Sequence, residues 1–269
     1  MKNFLERALS GILISVLTVL SIVWHELSFG FFYMLILVMC VIEYYQLSRK
    51  LHVRPVLAWQ LVLSIFLFAG AWGLFAGIVP PNALSLIIPL FFIAFISELY
   101  RRKKRVVQNI AFTFLPVIHV ALPLALFIGL GYINGPYDYR PVLAVVLFTW
   151  TNDTFAYIVG VLAGKNKIAP KISPKKTWEG FAGGLLATIG LGFVLFHFWP
   201  MFSLMIWLTV AVLVSLAATL GDLVESMFKR SAGVKDSGRV LPGHGGVLDR
   251  FDGFVFAIPF VFSYLYLIN

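Results

Sequence analysis

Nine apolar stretches, each near the length of a membrane-crossing helix, follow one another through this sequence with short breaks between them. They fall at about 8–24, 29–47, 56–79, 84–99, 110–131, 141–163, 180–199, 203–228 and 251–268. The polar stock left over is small: 60% of the residues are apolar and 12% are charged, and the mean hydropathy is +0.92. A soluble fold of 269 residues could not cover its surface from that stock, so the bilayer must supply the missing solvent. The expected fold is all-α, a single integral membrane domain over 1–269 with about nine transmembrane helices.

Charge placement tests the count independently. With the N-terminus in the cytoplasm, the inner segments hold 20 of the 21 Lys and Arg residues, and only Arg140 lies outside. One span more or fewer before the last loop would scramble that segregation, so the positive-inside rule supports both number and orientation. The C-terminus is then extracytoplasmic, and the chain is expected in the cell (cytoplasmic) membrane. The first span follows a short basic start, but W-H-E-L-S-F-G after Ser21 lacks a small-x-small cleavage pattern, so retention as an anchor is expected. The single cysteine, Cys40, lies within the second span and reads as a small core residue. A pI near 9.7 raises nucleic acid as a partner. The basic residues instead line one membrane face, which favours anionic lipid and anionic nucleotide and no nucleic acid.

The chain divides into a front half, 1–135, that reads as scaffold, and a back half, 136–269, that carries chemistry around a polar cleft open to the cytoplasm. Glu43 and Glu98 lie near cytoplasmic span ends, where snorkelling or pairing with Arg49 or Arg101 accounts for them. The run R-R-K-K-R at 101–105 reads as a topology determinant. In the back half, Asp153 lies inside the sixth span and Asp222 inside the eighth. A carboxylate facing acyl chains costs several kcal/mol, so each should face protein, water or metal. Both spans run toward the cytoplasm, which puts Asp153 and Asp222 about ten and six residues above their inner ends. Asp222, Glu225, Ser226 and Lys229 share a helix face by their spacing, and Asp249 and Asp252 stand three apart where the last span begins.

Carboxylates without a cysteine or histidine cluster form a hard oxygen site, suited to Mg²⁺ and not Zn²⁺. Lys175, Lys176, Lys229, Arg230, Lys235 and Arg250 surround them in the same loops. Metal-binding carboxylates beside Lys and Arg describe a phosphate-handling site. The segment L-P-G-H-G-G at 241–246 would let backbone amides approach an anion, although G-H-G-G taken alone is more often a flexible turn than a phosphate nest. S-P-K-K-T-W-E-G at 173–180 reads as a helix start, with Pro174 near the first turn, Thr177 as cap and Glu179 in the opening turn.

The stretch from Ser226 to Asp252, S-M-F-K-R-S-A-G-V-K-D-S-G-R-V-L-P-G-H-G-G-V-L-D-R-F-D, resembles the signature of the phosphatidate cytidylyltransferases, or CDP-diacylglycerol synthases. D-T-F-A-Y at 153–157, G-K-N-K at 164–167 and the 173–180 segment are also similar to that family, so the resemblance covers roughly 148–256; the front half resembles it only in hydropathy. The resemblance implies transfer of a cytidylyl group from CTP to phosphatidic acid, giving CDP-diacylglycerol and pyrophosphate, with one or two Mg²⁺ ions. By the same resemblance the metal ligands are Asp222 and Asp249. Lys229, Arg230, Lys235, Asp236, His244, Arg250 and Asp252 are the catalytic set. Ser226, Lys175, Lys176, Gly243, Gly245, Gly246 and Asp153 are the substrate-binding set. The partners are the two substrates and membrane lipid, with a homodimer admitted.

Two other functions stay open at this stage. A CTP-dependent polyprenol or dolichol kinase would phosphorylate a lipid hydroxyl and need a general base, for which His244 or Asp236 would serve. A membrane anion or lipid transporter would need polar access from both faces, yet the outer halves of the spans carry almost no ionisable groups. D-R-F-D-G at 249–253 does not supply the D-G-x-x-A-R start of a CDP-alcohol phosphotransferase.

Overall fold

Hydropathy places the helices and capping sets their ends. The computed structural model describes residues 2–101, 103–238 and 245–268, with side chains from residue 11 onward. The helices are α1 (Lys2–Trp24), α2 (Glu26–Lys50), α3 (Leu57–Phe75), α4 (Ile87–Leu99), α5 (Val106–Pro116), α6 (Leu122–Leu130), α7 (Tyr139–Ala163), α8 (Trp178–Phe198), α9 (Leu204–Ser231) and α10 (Leu248–Ile268). Eight stretches among the described residues are long and apolar enough to cross a membrane, and the apolar part of α1, Gly11–Trp24, is shorter. The nine expected spans therefore each correspond to a helical segment of an all-α polytopic membrane protein.

Two spans are composite. A 3₁₀ turn, Pro81–Leu86, leads into α4. The span from Val106 to Leu130 joins α5 to α6 through a π-helical turn at Val117–Ala121, just after Pro116. Proline has no N–H to give the preceding turn, and a π turn absorbs that defect without breaking the span.

Side-chain caps start several helices. Asp138 accepts from the Arg140 amide at 2.9 Å to open α7, Thr177 accepts from Gly180 at 3.1 Å to open α8, and Ser203 opens α9. The cap expected at Thr177 is therefore present, but Pro174 is not in a helical turn. It lies in β2 (Ser173–Thr177), which pairs antiparallel with β1 (Lys167–Ala169), with Lys167 opposite Thr177 and Ala169 opposite Ser173. In a two-stranded hairpin each strand has an open edge, where a missing N–H costs nothing.

In the back half α7 packs on α8, α8 on α9 and α9 on α10, while α10 also rests on α6. Close approach of α7 and α8 depends on Gly184, where a Cβ would lie 2.7 Å from Asn152 Oδ1 and 2.8 Å from its carbonyl oxygen. Small residues at such crossings let helix backbones meet within the bilayer.

The front half is closed at one end by a polar knot. Glu98 is buried, holding Arg101 at 2.5 Å and Asn109 at 2.8 Å, while Asn109 accepts from the Arg54 amide at 2.9 Å. The expected pairing of Glu98 with Arg101 is present. Glu43 instead turns inward, wholly buried and away from Arg49. At the opposite end Tyr132 donates to Glu26 at 2.8 Å and Tyr137 to the Ile22 carbonyl at 2.7 Å.

Candidate active site

Depth brings the in-span aspartates level. Asp153 stands ten residues before the end of α7 at Ala163. Asp222 stands nine before the end of α9 at Ser231, because α9 runs three residues beyond the apolar stretch that set the sequence-based depth of six. At about 1.5 Å per residue, both carboxylates lie some 14–15 Å from the helix ends on one side.

Two cavities meet at Asp153. The larger, about 440 Å³, lies between α7, α8, α9 and the β-hairpin, and is lined by Asp153, Lys167, Lys175, Lys176, Thr219 and Asp222 among others. The smaller, about 220 Å³, lies between α1, α2, α7 and α10, and is lined by Ser15, Thr18, Tyr33, Asp153, Arg250 and Asp252 among others. One carboxylate thus belongs to both chambers, with a cationic wall on either side.

Each wall follows from its element. β2 ends at the Thr177 cap, which aims Lys176 into the larger cavity, where its ammonium pairs with Asp222 and reaches the Thr219 carbonyl at 3.4 Å. Asp222 sits hard against α10: a Cβ on Gly253 would fall 2.6 Å from Asp222 Oδ1. Asp252, one residue before that glycine, interacts with the carboxylates of Asp222 and Glu225. Asn152 is buried and holds its neighbour Asp153 at 3.3 Å while accepting from Ser215 at 2.7 Å.

A second polar cluster stands at the start of α10. The Lys229 ammonium donates to Asp249 Oδ1 at 2.7 Å and Glu225 Oε2 at 3.0 Å. Asp249 Oδ2 accepts from the Ser237 amide at 2.9 Å, the Ser237 hydroxyl at 3.0 Å and the Gly246 amide at 2.9 Å. Four donors therefore occupy Asp249, and Lys229 is 9% exposed between two carboxylates. Lys229 reads as the group that holds Asp249 in place rather than as a cation waiting in either cavity.

The structure thus gathers Asp153, Lys175, Lys176 and Asp222 around one chamber, Asp153, Arg250 and Asp252 around the other, and Lys229, Asp249 and Gly246 beside them. Ser226, Arg230, Lys235, Asp236 and Gly245 line neither cavity. Arg230 donates to the Ile172 carbonyl at 3.4 Å and the Val234 carbonyl at 3.2 Å, tying the hairpin tip to the end of α9. The amide of Gly246, expected to face nucleotide phosphate, faces Asp249 instead. Gly243 and His244 lie outside the described residues, as does Arg239. Asn152, Ser237 and Glu43 belong to this polar system and were not among the expected site residues. Asn152 adjoins Asp153 and Ser237 falls within the signature stretch, so proximity was the available signal for both.

Fold and site together define a polytopic membrane protein with lysines and carboxylates gathered around two chambers toward one end of its spans. Residues 5–268 match the Cytidylyltransferase family, and the chain belongs to that family. It is 42% identical over 178 residues to a phosphatidate cytidylyltransferase of Staphylococcus haemolyticus (strain JCSC1435), covering 65% of this chain and 66% of that protein. It is 44% identical over 155 residues to one from Staphylococcus saprophyticus subsp. saprophyticus, covering 55% and 58%. It is 46% identical over 154 residues to one from Staphylococcus epidermidis (strain ATCC 35984), again covering 55% and 58%. These matches span about two thirds or less of the relatives' own lengths.

Proposed function

We propose that this protein transfers a cytidylyl group from CTP to phosphatidic acid, releasing pyrophosphate. The observation that carries the reading is the pair of chambers joined at Asp153, one walled by Lys175 and Lys176 and the other by Arg250. A two-substrate transfer without a covalent intermediate needs two anions side by side, and this geometry supplies a place for each. The larger chamber, at about 440 Å³, falls in the roughly 300–1,000 Å³ range of small-molecule sites and suits the nucleotide. The smaller is walled in part by α1, which rests chiefly on α2 and α7, and suits a lipid headgroup.

The phosphate of phosphatidic acid is itself the attacking group. Its oxygen bonds to the α-phosphorus of CTP as the α–β anhydride bond breaks, and pyrophosphate leaves with the electron pair. The protein's task is positioning and charge. Lys175 and Lys176 hold the triphosphate, Arg250 holds the acceptor phosphate, and Asp153 lies between them where the two chambers meet.

Mg²⁺ fits the donor set. Asp222, Asp249 and Asp252 offer only hard oxygens, and among the described residues no three His, Cys, Asp or Glu side chains form a ready cation cage. Mg²⁺ is commonly held by one or two carboxylates, with substrate phosphates and water completing the shell. Asp222 is the proposed ligand on the chamber wall, with Asp252 facing it, while Asp249, expected from the resemblance as the second ligand, has its oxygens taken by Lys229, Ser237 and Gly246. When bound, the ion would offset charge on the phosphoryl oxygens. The basic loops, and with them the site, are proposed to face the cytoplasm, where CTP is found.

The test is acceptor choice by purified protein in detergent. With CTP and Mg²⁺, phosphatidic acid should yield CDP-diacylglycerol and pyrophosphate, and a polyprenol should yield nothing. Phosphorylation of the polyprenol with no product from phosphatidic acid would refute the proposal.

A further inference from the structure

Glu43 is in α2, more than 180 residues before the signature segment, yet it is wholly buried against that segment. Its Oε1 accepts from the Val247 amide at 2.8 Å, and its Oε2 from the Leu248 amide at 2.9 Å and the Ser237 hydroxyl at 2.9 Å. Val247 and Leu248 open α10, so these amides are among the donors a helix leaves unpaired at its start. A carboxylate there is favoured twice, by the hydrogen bonds and by the positive end of the helix dipole. The cap is supplied from another helix, α2.

Its neighbours are shaped around it. A Cβ on Gly246 would fall 2.3 Å from Glu43 Oε2 and 2.1 Å from the Ser237 hydroxyl, and one on Gly238 would fall 2.6 Å from Glu43 Oε1. The Ser237 hydroxyl also lies 3.0 Å from Asp249 Oδ2, so a single proton is shared between two carboxylates. Glu43, Ser237, Asp249 and Lys229 form one chain of polar contacts that starts in the front half and ends at the cluster beside the chambers.

We propose that Glu43 is a positioning residue for the transfer, an internal anion seated in the 246–248 turn that fixes the start of α10 and hence the aim of Asp249, Arg250 and Asp252. A carboxylate is required because both oxygens meet donors. Glutamine would set its NH₂ either against the Val247 amide or against the Leu248 amide and the Ser237 hydroxyl, and aspartate would stop one methylene short. The effect on turnover rests on the cytidylyl-transfer reading, whereas the effect on the turn does not.

The experiment uses the full chain in detergent, comparing wild type with Glu43→Gln by amide hydrogen exchange and by steady-state kinetics. Exchange at 246–249 should accelerate about tenfold or more, as expected for losing hydrogen bonds to a charged acceptor, with peptides of α3 and α8 unchanged. Turnover should fall about tenfold or more while the KM for CTP stays within about threefold, because the residue acts through others and touches no substrate. Unchanged exchange at 246–249 would overturn the proposal. So would loss of protection spread evenly over the molecule, or a raised KM with normal turnover. Should Glu43→Gln fail to insert, Ser237→Ala removes one donor and carries the same exchange test, with the same two outcomes. If wild-type protein makes no CDP-diacylglycerol, the transfer reading falls, while exchange still decides whether Glu43 holds the turn.

Discussion

Asp222 and Asp249 carry the same side chain in different surroundings, and that difference predicts different mutants. Asp222 is paired with Lys176, and its side chain is 25% exposed in the larger chamber. Asp249 is 9% exposed and meets four donors, one of them the buried Lys229. Asp222→Asn should lower turnover by about a hundredfold or more with little change in thermal midpoint, since it removes from a cavity wall the carboxylate proposed to hold Mg²⁺. Asp249→Asn should lower both, because the mutation weakens a buried ion pair and turns an acceptor into a donor against backbone amides. Equal thermal midpoints for the two variants would contradict the separate roles. Lys176→Ala should raise the KM for CTP as well as slow the reaction, and a KM unchanged for CTP would show that this lysine serves Asp222 alone.

At the scale of elements, the hairpin and the start of α8 act as one device. Thr177 is 3% exposed, ends β2, caps α8 and sits one residue after Lys176. Thr177→Ala should cost about 1 kcal/mol through the lost cap and should weaken CTP use, while Thr177→Ser should restore both. A Thr177→Ala variant with normal kinetics would separate the cap from the aim of Lys176. The helices themselves were legible because lipid leaves the chain few options, and length and hydropathy alone mark spans such as Glu26–Lys50 and Leu204–Ser231. The hairpin was not. Its strands have three and five residues in a lysine-rich stretch, so the Thr177 cap was readable while Pro174 fell into the wrong element. Asp153, Asp222 and Asp252 stood out because carboxylates near or inside spans need a reason, and the chambers supply one. Glu43 obeyed the same rule, but its partners are set by contacts across about two hundred residues that no local pattern encodes.

The whole molecule places its basic loops at one end, and this orientation has a direct test. In a Cys40→Ala background, Lys103→Cys and Lys171→Cys should label only from the cytoplasmic side and Pro136→Cys only from outside, as the segregation of Lys and Arg requires. Pro136 suits the outer position because it is exposed, whereas the adjacent Tyr137 hydroxyl is held by the Ile22 carbonyl. Labelling of Lys171→Cys from outside would put the hairpin and both chambers out of reach of cytosolic nucleotide. The central claim, that two anionic substrates meet across Asp153 and that the nucleotide is cut at its α-phosphorus, is tested most directly by following the label. CTP labelled at the α-phosphorus should pass its label into the lipid fraction in the presence of phosphatidic acid, and CTP labelled at the γ-phosphorus should release its label as pyrophosphate. Label entering lipid from the γ-position, with none from the α-position, would contradict the account.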